Sequence, residues 1–270
     1  MKLKNRIYGL TDILVFLMML QGILGLVLHR LYRDSKMIAG TWHANDALTL
    51  ILAFFMIIAM LRTRKGSIRA GLLWLGIIGY SIYNYGFYLL GARINVFFPI
   101  YLFAFIFSII TMILFISNLD IAEISARFSS RIKNRLLGGY FILIGFMLGI
   151  IWLIFWAFFI FAGKSLPIAE DAFRTVATMD ICLISPSLII GGKLLWNRKD
   201  WGFIISSISG VLGSFYLLLL TINSIAFIML GLSEAPGELP IWGTLFVFTS
   251  IATIYLFSTI KKYNELKFDV

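Results

Sequence analysis

The chain has 270 residues, of which 60% are hydrophobic and 13% are charged, and its formal net charge is +10 at pH 7. Soluble domains average about 45–50% apolar and about 25% charged residues. The composition therefore excludes a disordered chain, a coiled coil, a disulfide-rich secreted module and an ordinary cytosolic enzyme, and it predicts an all-α polytopic membrane protein. The single cysteine and two histidines allow neither a disulfide framework nor a three-histidine metal site, so we expect no metal and no cofactor.

Eight apolar stretches are long enough to cross a bilayer, which takes about 20 largely apolar residues per helix. In chain order they are Ile7–Leu28, Trp42–Leu61, Ala70–Ala92, Ile94–Leu119, Leu136–Gly163, Ala172–Gly192, Trp201–Leu232 and Leu239–Ile260. The first is too long for a signal peptide and no small-residue cleavage site follows it, so we expect it to stay in the membrane. The seventh would extend about 48 Å as a straight helix. We expect it to tilt, project or kink, with Gly210 and Gly213 as candidate flexible points.

Lysine and arginine in the short loops predict the orientation, because cytoplasmic loops are enriched in both. With the N-terminus in the cytoplasm, 17 of the 23 basic residues fall in inside segments. They are Lys2, Lys4, Arg6, Arg62, Arg64, Lys65, Arg69, Arg127, Arg131, Lys133, Arg135, Lys193, Arg198, Lys199, Lys261, Lys262 and Lys267. An even number of spans returns the C-terminus to the same side. We therefore predict a multi-pass protein of a prokaryotic plasma membrane with both termini cytoplasmic. We interpret the net positive charge as a signal that orients the helices and attracts anionic membrane lipids, and not as a surface for nucleic-acid binding.

The single membrane domain, 1–270, shows a weak internal pattern that indicates two parallel four-helix repeats, 1–125 and 126–270. Asp46 precedes an Arg-Lys pair by 18 and 19 residues, and Asp180 precedes Arg198-Lys199 by the same distances. Chance alignment of apolar sequence is the alternative. Eighteen helical residues cover about 27 Å, so both aspartates are expected near the outer face.

Ionisable and amide side chains inside membrane spans are costly and mark candidate functional sites. Tyr80, Asn84 and Tyr88 are spaced by four residues and share one helical face, while His43 and Asp46 are three apart. We expect these groups to line an outward-facing polar pocket, in which Arg93 pairs with an aspartate or binds an anionic group. The candidate pocket residues are Asp180, Asp46, Asn84, Arg93, His43, Tyr80, Tyr88 and Asn95.

Simpler roles stay open for several of these residues. Asp46 is equally suited to capping a helix at the membrane surface, and Asn84 to hydrogen bonding between helices. Aromatic residues at span ends usually form an interfacial belt, which we expect for Tyr101, Trp42, Trp201 and Trp242. Asp180 stands out because Pro186 follows it in the same span, and proline frees a carbonyl that polar surroundings often satisfy.

The stretch that begins Arg64-Lys-Gly-Ser-Ile-Arg-Ala-Gly-Leu-Leu-Trp-Leu-Gly76 continues through Tyr83-Asn-Tyr85 to Tyr101. Over about 40 residues it resembles a pattern in bacterial and archaeal polytopic membrane proteins without an assigned function. The segment from Met179-Asp180 to Trp201-Gly202 resembles the same group more weakly. The resemblance implies an eight-span helical fold and no particular activity.

These features favour an integral membrane protein that binds or transports a small solute through the outer polar pocket. One alternative is an accessory subunit that docks with a membrane protein partner, which predicts a large apolar partner face. Another is a membrane-embedded enzyme acting on lipid or quinone, for which Asp180 with His43 is the only pair that the sequence offers. No catalytic residue is assigned.

Overall fold

The computed structural model describes residues 3–168, 170–229, 231 and 238–261, and within them the chain forms an all-α bundle of nine helices. The helices are α1 (Asn5–Val27), α2 (Lys36–Arg64), α3 (Ile68–Gly91), α4 (Phe98–Ile116), α5 (Ile121–Ala126), α6 (Asn134–Ala162), α7 (Glu170–Trp196), α8 (Asp200–Met229) and α9 (Glu238–Ser258). The short helix α5 falls where the sequence predicts only a loop. Residues 232–237, between the last two predicted spans, lie outside the described residues, as do Lys2, Lys262 and Lys267.

Seven of the nine described helices are long and apolar enough to cross a membrane, so the protein is an integral multi-span membrane protein. The lipid-facing character of α6 is the clearest. Only 11% of its most apolar 18-residue stretch is buried, and Phe146, Trp156 and Phe161 are exposed. In water such a surface would aggregate, whereas in a bilayer it needs no polar cover.

The predicted third span exists as α3, but α3 is not among the seven, because its tyrosines and Asn84 lower its mean hydropathy. Its position explains this composition. Of its 24 residues 17 are buried, and it packs against α2, α4, α7 and α8. A helix enclosed by other helices does not need a lipid-compatible surface, so it is free to carry polar groups.

The segments that carry the basic excess meet at one end of the bundle. There the Arg64 guanidinium lies 4.4 Å from the centre of the Tyr8 ring, and Arg69 donates to the Ile260 carbonyl. At the opposite end the Arg93 amide donates to Asp34 (3.0 Å), and the His29 and His43 rings lie 6.1 Å apart. Consecutive long helices therefore run back and forth between the two ends.

Two helices contain residues that can disturb regular α-helical geometry, Pro186 in α7 and the glycines Gly210 and Gly213 in α8. Helix α7 contains a π turn, Asp180–Ile184, directly before Pro186, and the Ser185 amide donates to the Asp180 carbonyl. Helix α8 runs unbroken from Asp200 to Met229 and includes Gly210 and Gly213, the candidate flexible points.

Candidate functional site

The first of two buried carboxylate centres is built around Asp46 of α2, whose side chain is 0% exposed. Three donors converge on it. The Tyr88 hydroxyl donates at 2.6 Å, the Tyr32 hydroxyl at 2.8 Å, and the Gln21 amide also donates to it. The donors come from α3, the α1–α2 loop and α1. Because Asp46 lies ten residues inside α2 and is enclosed by side chains, it is not a surface helix cap.

Glycine in α1 makes room for this centre. A methyl group at Gly25 would overlap the Asp46 carboxylate and lie 2.7 Å from the Tyr32 hydroxyl. One turn away, a methyl group at Gly22 would lie 2.6 Å from the Leu50 side chain. Both glycines therefore let α1 approach α2 closely, which places Gln21 within reach of the carboxylate.

Stacked aromatic rings enclose the centre on the side of α3. The Tyr88 ring lies between the Trp42 ring (4.6 Å) and the Tyr101 ring (4.5 Å). Trp42 and Tyr101 are each only 1% exposed, so assigning them to the interfacial belt was wrong. Trp201, in contrast, is 44% exposed, as a belt residue should be. The signal for burial was present at Trp42, which lies four residues before Asp46 on the same helical face.

Tyr32 closes the centre from the loop between α1 and α2. Its ring packs against Phe97 (5.5 Å), and its side chain is buried although the loop around it is largely exposed. Burial and the nearby Asp46 carboxylate raise the pKa of Tyr32 well above its usual range. The hydroxyl therefore stays protonated and keeps donating to Asp46 at any physiological pH.

An amide network extends the centre along α2 and α3. Asn45 donates to the Asn84 side-chain oxygen (2.6 Å), and Asn84 donates to the Thr49 hydroxyl (3.3 Å). The Tyr80 hydroxyl donates to the Asn45 oxygen at 3.0 Å. The predicted face of Tyr80, Asn84 and Tyr88 is thus confirmed as the face that α3 turns toward α2.

The second carboxylate centre is Asp180, also 0% exposed, at the start of the π turn in α7. Tyr83 of α3 and Trp152 of α6 each donate to it at 2.9 Å, and Tyr216 of α8 lies at 3.5 Å. The Tyr83 and Tyr216 rings are in edge-to-face contact at 4.9 Å. A π turn in an α-helix is frequently a functional feature, and here it includes the buried acid.

The two centres are separate but are joined through α3. This helix supplies one tyrosine donor to each centre, Tyr88 to Asp46 and Tyr83 to Asp180, and the two are five residues apart, which is about 7.5 Å along the helix axis. No hydrogen bond among the described residues connects Asp46 directly with Asp180. The ion pairs in the described ranges are Arg127 with Glu123 and Arg174 with Asp171, so neither buried carboxylate has a basic partner there.

A buried hydroxyl next to the Asp46 centre lacks a partner. Tyr85 is 0% exposed, its ring centre lies 6.3 Å from that of Tyr88, and its oxygen has no hydrogen-bond partner among the described residues. The Gln21 side-chain oxygen is in the same condition. Buried polar groups are usually satisfied, so these two atoms are free to contact a bound water or solute.

Three other predicted pocket residues lie away from the carboxylates. His43 is exposed on α2 and faces His29, not Asp46. The Arg93 side chain is exposed and its backbone amide contacts Asp34, while Asn95 caps its own turn by accepting from the Phe97 amide (2.9 Å). The Asp180–His43 pair suggested for an enzyme shares no contact in the described part of the chain.

Sequence reasoning missed the donors that complete the two centres. Gln21 carried a usable signal, because it is the one amide in the first apolar stretch. Tyr83 lay within the tyrosine-rich motif but off the selected face. Tyr32, Trp152 and Tyr216 carried no signal, since 16% of the chain is aromatic and nothing in the sequence sets these three residues apart.

Comparison of the chain with protein-family models, with curated proteins and with solved structures finds no match. The group suggested by the Arg64–Tyr101 pattern is therefore not identified as a family by these comparisons.

Proposed function

We propose that the protein binds or transports a small cationic solute, a proton included, at the Asp46 centre. The observation that carries the proposal is the pair of fully buried carboxylates without a basic partner among the described residues. An ionisable group at membrane depth is expensive and is retained where it serves a site or a relay. A cation offsets the charge of a buried carboxylate, whereas an anion would add to it.

Access to Asp46 from the outer end supports this choice of site. On that side the Tyr32 side chain covers the carboxylate, and it is held by a loop that includes the 3-10 turn His29–Leu31. Displacing this loop would remove the Tyr32 hydroxyl from Asp46 without moving any long helix. The unpartnered oxygens of Tyr85 and Gln21 then supply neutral ligands beside the carboxylate.

We further propose α3 as an eighth crossing, with both termini on the cytoplasmic side. Its first turn contacts the basic end through Arg69, and its last turn meets Thr175, whose hydroxyl lies 3.4 Å from the Leu90 carbonyl. Helix α3 thus has the length and the contacts of a spanning helix although its hydropathy is lower.

We also propose that the chain consists of two parallel four-helix repeats. The offset of 134 residues that relates Asp46 to Asp180 also relates Gly76-Ile-Ile-Gly79 to Gly210-Val-Leu-Gly213. In each half the carboxylate is on the second helix and accepts from the first helix, through Gln21 or Trp152.

Ligand-dependent stabilisation of the purified protein tests the function. Thermal unfolding is measured with sodium, potassium and small primary amines, in wild type and in Asp46→Asn. A cation at 100 times its Kd stabilises the folded state by about 2.7 kcal/mol, and this gain should disappear in the variant. Asp171→Asn is the control, since Asp171 is exposed and pairs with Arg174 at the surface.

Proton binding is tested separately by measuring proton uptake in proteoliposomes with a pH-sensitive dye. Uptake that depends on Asp46 supports the proposal. Absence of both cation stabilisation and proton uptake in wild type would overturn it and favour the accessory-subunit role.

A further inference from the structure

We infer a binding site for the headgroup of an anionic phospholipid at the basic end of the bundle, between the start of α6 and the end of α7. A cavity of about 730 Å³ lies there. It is lined by Ile132, Lys133, Asn134, Arg135, Leu136, Trp196, Asn197 and Arg198. The lining contains three cationic side chains and no acidic one, so its field favours an anion.

The cavity lies beside a close contact between α6 and α7. A methyl group at Gly138 would lie 2.5 Å from the Gly192 carbonyl oxygen, and one at Gly192 would lie 2.7 Å from the Gly138 carbonyl oxygen. The α6 and α7 backbones are therefore in contact at this pair. A methyl group at Gly139 would lie 3.0 Å from the Trp196 ring, so this ring covers Gly139 beside the cavity.

Arg198 is fixed in the cavity without losing its charge. Its guanidinium donates to the Ser130 carbonyl (2.6 Å), and its Nε faces the Asn134 side-chain oxygen at 3.2 Å in the amide orientation that satisfies both groups. These partners are neutral. Arg198 also has φ of 54°, the only positive value at a non-glycine residue in the described chain. A residue in this conformation is held by its surroundings at a cost in backbone energy.

The surroundings of the cavity select a lipid over a free anion. Trp196 is 42% exposed and Leu136 67% exposed, so the opening faces hydrocarbon on one side. Lys133 and Arg135 are exposed toward the basic end. When the phosphodiester of a lipid contacts these cations, the acyl chains of that lipid would lie along the apolar side chains of Trp196 and Leu136. Basic pockets between membrane helices on the cytoplasmic side are suited to such headgroups.

Native mass spectrometry of protein from vesicles of phosphatidylcholine and phosphatidylglycerol tests the site. We expect retained phosphatidylglycerol in wild type. Lys133→Gln with Arg135→Gln should weaken its binding roughly 25-fold, since each basic residue near the surface contributes about a factor of five. Both side chains are exposed, so the variant should keep its helical circular dichroism. Arg30→Gln with Arg33→Gln, which removes two exposed charges at the opposite end, is the matched control.

Three results would overturn the inference. They are equal retention of phosphatidylglycerol by the two double variants, equal retention of phosphatidylcholine by wild type, and tight binding of inorganic phosphate by lipid-free protein. The last would assign the cavity to free phosphate. The Asp46→Asn variant should retain phosphatidylglycerol like wild type, which separates this site from the proposed solute site.

Discussion

The consequences of a tyrosine hydroxyl in this bundle depend on what its oxygen contacts. Tyr88 and Tyr85 are three residues apart on α3 and both are buried, but only Tyr88 donates to a carboxylate. A hydrogen bond to a charged group contributes about 1.5–3 kcal/mol in soluble proteins, and hydrogen bonds between membrane helices contribute less on average. An unpartnered hydroxyl contributes nothing favourable to offset its own burial.

Replacing each tyrosine by phenylalanine should therefore have different effects. We expect Tyr88→Phe to lower the free energy of unfolding by about 1.5 kcal/mol, since Asp46 loses its 2.6 Å donor. Tyr85→Phe should leave stability unchanged or raise it slightly. Denaturant unfolding in detergent micelles measures both. Equal losses in the two variants would contradict the hydrogen-bond assignment at Asp46.

Helix α1 shows at the scale of an element how small residues position a polar group. Gly25 faces Asp46 and Tyr32, whereas Gly9 on the same helix has nothing within 4 Å of where a methyl group would lie. The same substitution thus meets a filled space at one position and open space at the other. Glycine is also about 1 kcal/mol less favourable than alanine inside a helix.

From this difference, we expect Gly25→Ala to push α1 away from α2 and to weaken any cation-dependent stabilisation at Asp46. Gly9→Ala should instead stabilise the protein by up to about 1 kcal/mol. Thermal unfolding with and without added cation measures both effects. A Gly25→Ala protein with unchanged stability and unchanged cation response would show that the close approach of α1 is not needed.

The helices were predictable to the extent that lipid contact decides their composition. The predicted Leu136–Gly163 matches α6 within two residues at each end, because only 11% of the most apolar part of α6 is buried and its composition is set by contact with lipid. Helix α5 and the π turn in α7 carry no comparable signal. The contact of Tyr83 with Asp180 spans 97 residues of sequence, and no local pattern encodes such a pairing.

At the scale of the whole molecule, the proposed orientation in the membrane rests on the distribution of charge, and it has a direct test. Cys182 is the only cysteine, so Cys182→Ser gives a cysteine-free background. In it, a cysteine introduced by Lys164→Cys should react with a membrane-impermeant maleimide in intact cells. One introduced by Arg131→Cys should react only after permeabilisation. The reverse pattern would invert the proposed topology.

The burial of α3 has a consequence for how the protein is made. Helix α3, which carries one tyrosine donor of each centre, is less apolar than the seven membrane-compatible helices, so it gains least from contact with lipid alone. Its neighbours α7 and α8 follow it in the chain by about 80 to more than 100 residues, and Tyr80 contacts Phe215 of α8. During synthesis α3 is therefore only partly enclosed until α7 and α8 have entered the membrane. A chain truncated before α7 would leave Tyr83 without Asp180 and Tyr216, and we expect it to be a substrate for membrane quality-control proteases.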